Sequence, residues 1–193
     1  MEMISNVDFE NKIREIYDSV FASSDPYGAP FQKSIQDKLL LYEFRYGLVK
    51  DGPWLHPITE SIKLLGEEGF YVSLLRRKTE PCHWYVPLTE AGDYIKEVFP
   101  AENMIYSASG RWGLICSEED HAIIGGPENF INAIRNLIPD WSEREKSFLE
   151  NWKRHYENNN IDLTWLPVLL SHIYSPIKCK EMLKSVELEW LMK

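Results

Sequence analysis

The period of the apolar residues changes twice along this chain, and that change limits the available folds more than any motif does. From residue 7 to about 50 the spacing is helical. Phe9, Ile13, Ile16, Tyr17 and Val20 share one face, and Phe31, Ile35, Leu39, Tyr42 and Tyr46 share another. Ser23, Ser24, Asp25, Pro26, Tyr27, Gly28 and Pro30 predict a loop between these two helices. Each helix has a single apolar stripe, so each must pack on its neighbour or on a sheet. From 54 to 138 the runs shorten. Ile58, Ile62 and Leu65 predict a short helix, and the runs 70–75 and 82–88 predict a β-hairpin with Arg76, Arg77 and Lys78 exposed at its tip. Thr89 is placed to cap a helix carrying Tyr94, Ile95, Val98 and Phe99, which Pro100 helps to end. Three β-prone runs follow at 104–107, 113–117 and 122–124, and Pro127 then opens a helix through Phe130, Ile131 and Ile134.

From 141 to 191 the helical period returns. Ser142 and Glu145 fit a capping box ahead of the stripe Phe148, Leu149, Trp152 and Tyr156, and the asparagines at 158–160 break that helix. Two further helices are expected over 163–174 and 176–191, the second opened by Ser175 and Pro176. The fold expected is α+β, one domain over 1–193: a small antiparallel sheet from the middle of the chain, covered by N- and C-terminal helices.

Composition narrows the function classes. Apolar residues make up 44% and aromatic residues 13% of the chain, enough to build a core. No apolar stretch approaches the roughly 20 residues of a membrane-spanning helix, so no membrane partner is expected. Residues 1–10 carry Glu2, Asp8 and Glu10 but no basic residue ahead of an apolar core. That is unlike a secretory signal, and residence in the cytoplasm is the expectation. The widely spaced Cys82, Cys116 and Cys179 read as reduced core thiols rather than a disulfide framework. A net charge of -9 repels phosphate backbones and favours a basic protein partner, although solubility alone also accounts for it.

No constellation carries a catalytic, cofactor or metal signature. Cys82, His83, Cys116 and His121 are zinc-ligand types, but adjacent strand residues point to opposite faces and no C-x-x-C pair anchors a site. Ser107 and Ser109 lie a dozen residues before Asp120 and His121 without a nucleophile elbow, so Ser-Ala-Ser-Gly-Arg reads as a turn. Gly125, Gly126 and Pro127 read as a tight strand-to-helix turn rather than a phosphate cradle. Glu118, Glu119 and Asp120 differ in kind: three like charges in one predicted loop are either solvated or matched by a basic partner.

Two resemblances follow. Residues 107–126, from Ser107-Ala-Ser-Gly-Arg-Trp-Gly to His121-Ala-Ile-Ile-Gly-Gly, with Phe130 after them, resemble an element of small bacterial proteins that include immunity proteins of toxin systems. Residues 54–99, with Leu88-Thr89-Glu90-Ala91-Gly92 after the hairpin, resemble the wing region of winged-helix regulators of the MarR and PadR kind. That second resemblance implies a DNA contact by Arg76, Arg77 and Lys78; the expected recognition helix offers only Lys63 as a base, so a nucleic-acid partner is not the first expectation.

The leading expectation is therefore a non-enzymatic binding protein of the immunity type. It would neutralise a basic toxin through an acidic surface of Glu118, Glu119 and Asp120 with Trp112, although Trp112 and Gly113 after a turn also read as core packing and close backbone approach. A winged-helix regulator is the alternative, and a hydrolase or transferase using the His121 region is the third.

Overall fold

The computed structural model describes residues 1–44, 47–75, 80–98 and 101–192. Tyr46, Arg76, Arg77, Lys78, Phe99 and Pro100, to which the sequence assigned roles, lie outside the described residues. Seven strands are described: β1 (Glu2–Ile4), β2 (Asp37–Tyr42), β3 (Gly69–Leu74), β4 (His83–Pro87), β5 (Asn103–Ser107), β6 (Gly113–Cys116) and β7 (His121–Gly126). They form one sheet in the order β1-β4-β3-β5-β6-β7-β2, and every pairing is antiparallel. The expected hairpin is β3–β4, with Phe70 opposite Val86 and Val72 opposite Trp84. The α+β class and the antiparallel sheet are as the sequence led us to expect.

Helices cover both faces, which explains the unbroken apolar runs of the central strands. Strand side chains alternate between faces. Leu39, Leu41, Ile105, Leu114, Cys116 and Ile124 thus meet α3 (Leu55–Leu64) and α5 (Glu128–Asn136) in one core. Leu40, Met104, Tyr106, Ile115 and Ile123 meet the other core. That second core is closed from the N-terminal side by a π-helical segment Phe9–Ile13 and α2 (Arg14–Val20), which follow the short turn α1 (Asn6–Asp8), none of whose residues is buried. From the other end come α6 (Trp141–Asn159), α7 (Leu166–Ile173) and α8 (Pro176–Ser185). The remaining described helix, α4 (Ile95–Val98), places Val98 against the first core.

The second N-terminal helix is not formed. Phe31 and Ile35 pack into the second core from a loop, whereas Leu39 in β2 faces the first. Residues four apart that looked like one stripe therefore end on opposite faces of the sheet. The trough that receives Phe31 and Ile35 is made by glycine. Gly113 and Gly125 are paired across β6 and β7. A Cβ at Gly113 would lie 2.5 Å from Val20, and one at Gly125 2.6 Å from Ile35. The Ser142–Glu145 capping box is also absent. α6 begins at Trp141 after Asp140, and Glu145 turns inward. Thr89 lies inside a 3-10 turn, Leu88–Glu90, rather than capping a helix. Ser175 does cap α8, accepting a bond from the Lys178 amide at 3.3 Å.

Both sheet edges are managed against further pairing. β1 is only three residues long. At β2, the Trp54 indole N–H donates to the Tyr42 carbonyl at 3.1 Å, and the Tyr174 hydroxyl meets the Leu40 backbone. Tyr174 also donates to the Glu145 carboxylate, which is 6% exposed and 3.7 Å from the Lys178 ammonium. Burial, then the Glu145 charge, pushes the Tyr174 hydroxyl well above its ordinary pKa, so it stays protonated and able to donate. Tyr174→Phe removes a donor from a buried carboxylate and should cost about 1–3 kcal/mol in urea unfolding. A loss below about 0.5 kcal/mol, within the range of ordinary surface substitutions, would show that Lys178 alone satisfies Glu145.

Candidate partner-binding surface

The β6–β7 hairpin turns through Ser117, Glu118, Glu119 and Asp120. Its shape is fixed locally. The Ser117 amide donates to the His121 carbonyl at 2.9 Å, the Glu119 amide donates to the Ser117 hydroxyl at 3.1 Å, and Asp120 adopts a left-handed φ of 58°. The Phe44 amide donates to the Asp120 carbonyl at 3.0 Å, tying the turn to the chain leaving β2. Glu118 and Glu119 are exposed and form no ion pair with a described residue; Asp120 is half-buried.

Behind the turn lies His121, fully buried. Its Nε2 is 3.2 Å from the Pro26 carbonyl, which can only accept, so the proton sits on Nε2. Nδ1 is 2.9 Å from the Ser117 hydroxyl, whose single proton is shared between that nitrogen and the His121 carbonyl, also at 2.9 Å. Burial lowers the ring's pKa to about 4, keeping the imidazole neutral. Aromatic rings surround it: Tyr27 and Phe148 edge-on at 5.2 and 5.4 Å, and Trp165 stacked at 6.0 Å. Tyr27 and Trp165 also meet edge to face at 5.1 Å. Tyr27, Tyr42 and Trp165 are each half-buried. Burial pushes the Tyr27 hydroxyl up, and the nearby charges of Glu119, Glu102 and Glu118 add to that. Burial and then the Asp120 and Glu43 charges do the same at Tyr42. This end of the sheet thus gathers half-buried Tyr27, Tyr42 and Trp165 beside Glu118, Glu119 and Asp120, with the Arg154 charge also acting on Tyr42 and Arg144 paired with Glu43 at 2.7 Å.

Trp112 is not part of that surface. It is fully buried in the first core, stacked on Phe130 at 5.4 Å, with its indole N–H donating to Glu67 at 3.1 Å. The candidate zinc quartet is also dispersed. Cys82 and His83 lie at β4, three strands from Cys116, while Cys116 and His121 face opposite cores. Among the described residues no group of three or more metal-ligating side chains is assembled, and all three cysteines are buried free thiols. Ser107 and His121 lie at opposite ends of the sheet, because Asn103 rather than Ser107 is paired toward the His121 end. Ser107 and Ser109 instead donate to Glu67 at 2.7 and 2.6 Å. Pro127 accepts from the Phe130 and Ile131 amides, making the tight turn into α5. The β3–β4 hairpin is flanked by β5 and β1, so its strands are interior to the sheet, and Lys63 on α3 is paired with Glu60.

The carboxylate turn was visible as a run of charge. Tyr27, Tyr42 and Trp165 were not, because they come from segments far apart in sequence. No family model, curated protein or solved structure matches the chain. Among the described residues no helix is long and apolar enough to cross a membrane.

Proposed function

We propose that this chain is a non-enzymatic binding protein of the immunity type, which docks a basic protein, a toxin, on the acidic turn and aromatic floor at the Ser117–His121 end of its sheet. The observation that carries this is the pairing of exposed, unmatched Glu118 and Glu119 with a floor of half-buried Tyr27, Tyr42 and Trp165. The aromatics supply desolvated contact area, and the carboxylates at the rim orient a basic partner before contact. A net charge of -9 extends the same field beyond the turn. His121 is fully buried with both ring nitrogens engaged, which suits a structural part in shaping the turn better than proton transfer to a substrate.

Affinity capture at low salt tests the reading, using the native chain and the triple variant Glu118→Gln, Glu119→Gln, Asp120→Asn as baits. The native chain should retain a basic protein that the variant loses. Equal retention by both baits would remove the turn from the interface.

A further inference from the structure

A groove of about 810 Å³ opens where the end of α2, the loop before β2, the start of β2 and the end of α7 converge. One wall is apolar, from Ala22, Ala29 and Phe31. The Phe31 ring lies nearly parallel to the His172 ring, 5.9 Å away at 13°. The polar part of the groove is cationic, unusual on a chain of net charge -9. Lys33 and Lys38 both line it, against Asp18 as the lining acid.

Lys38 lies two residues before Leu40 on β2, so its side chain follows Leu40 onto the face that α7 covers, while its neighbour Asp37 projects the other way. Its half-buried ammonium donates to the Gln36 carbonyl at 3.1 Å. An ammonium has three donors, and no described carboxylate lies within ion-pair distance of this one. The Phe31 amide donates to His172 Nε2 at 3.4 Å, which places the ring's proton on Nδ1 as a further donor. Burial, and then the Lys38 charge, lower the His172 pKa to about 4, so the ring is neutral and adds no second positive charge.

We propose that this groove binds small organic acids, holding a carboxylate at Lys38 and the His172 Nδ1–H and an apolar body along Ala22, Ala29 and Phe31. The groove is open to solvent rather than enclosed, so it would cover one side of a small molecule lying along its apolar wall with the polar groups at one end. Inorganic phosphate matches it poorly, because it would leave the apolar wall uncovered. The site is separate from the acidic turn: His172 and Trp165 lie at opposite ends of α7, about 10 Å apart along its axis.

The test is a titration of the full chain, followed by amide chemical shifts, with octanoate, its uncharged counterpart octanol, and inorganic phosphate. Octanoate should give saturable shifts at Phe31, Lys33, Lys38 and His172, and octanol should bind about tenfold more weakly, as expected when a charge-assisted hydrogen bond is lost. Lys38→Met, which keeps the stem and removes the ammonium, should bring octanoate down to the level of octanol; Lys38→Arg should preserve the preference. Equal affinity for octanoate and octanol would overturn the proposal, as would phosphate binding as tightly as octanoate. Absence of saturable shifts at those four residues would do the same. The comparison of octanoate with octanol uses the unmodified chain, so the result does not depend on how a variant folds.

Discussion

Trp112→Ala should lower the unfolding free energy by about 3–5 kcal/mol, the range found when a large aromatic is truncated in a packed core. Trp112 is fully buried where β6 begins, stacked on Phe130 from α5 and edge-on to Phe70 from β3 at 6.4 Å. It therefore joins the sheet to the helix above it. Its indole N–H is also one of the donors that hold Glu67, a carboxylate whose side chain is only 9% exposed. Ser107, Ser109 and Arg111 supply the others, so the β5–β6 turn is fastened around that one carboxylate. Trp112→Phe keeps most of the ring contact and loses the N–H, and should cost less, about 1–2 kcal/mol. Chemical denaturation of both variants checks the order. A loss below about 1 kcal/mol for Trp112→Ala would mean that the core closes over the gap, contrary to how such cores respond.

Stability should also fall as the solution is acidified from pH 6.5 toward pH 4, and His121 should account for about 3 kcal/mol of that fall. The buried ring keeps its neutral form down to about pH 4, whereas in the unfolded chain it takes up a proton near its ordinary value of 6.5. Between those values the unfolded state binds more protons than the folded one, so stability rises with pH across the window. The contribution is fully present above pH 6.5 and is lost as pH falls through the window toward 4. His172 is pushed down in the same direction, by burial and then by the Lys38 charge, so the His121 share must be isolated by comparison. His121→Asn retains hydrogen-bonding capacity without a titrating ring. The difference between native and variant unfolding free energies, measured from pH 7 to pH 4, should shrink by about 3 kcal/mol. A difference that stays constant with pH would show that the ring is not held neutral.

The parts of the fold that were legible share a physical cause. β5, β6 and β7 are short apolar runs bounded by turn residues, and Ser175 with Pro176 marks a helix start whose cap hydrogen bond is made locally. β2 was misread because its surroundings imitate a helix. The i, i+4 spacing of Phe31, Ile35 and Leu39 is real, but a loop and a strand that feed two different cores satisfy it equally well. β1 is too short for any pattern to declare it. At the candidate surface, Glu118 and Glu119 were legible because a run of like charge must be solvated or matched. Trp112 read both as core packing after the turn and as part of the acidic surface, because a tryptophan beside a turn looks the same in sequence whether it points in or out; burial in the first core bears out the former and excludes the latter. The convergence of Lys38 and His172 on one groove left no signal at all, since 133 residues lie between them in sequence and only the packing of α7 against β2 brings them together.

Association kinetics of this chain with its basic partner, followed by stopped flow over a range of salt concentrations, test the central claim most directly. Complementary fields raise encounter rates more than they raise final affinity, and screening weakens them. Neutralising Glu118, Glu119 and Asp120 together should slow association by about tenfold or more at low ionic strength, with a smaller loss near physiological salt, where screening acts over about 8 Å. Dissociation should change less, because the two exposed carboxylates stand at the rim of the aromatic floor. An association rate that is the same for the native chain and the variant at every salt concentration would contradict the account and leave the triplet as a solvated turn.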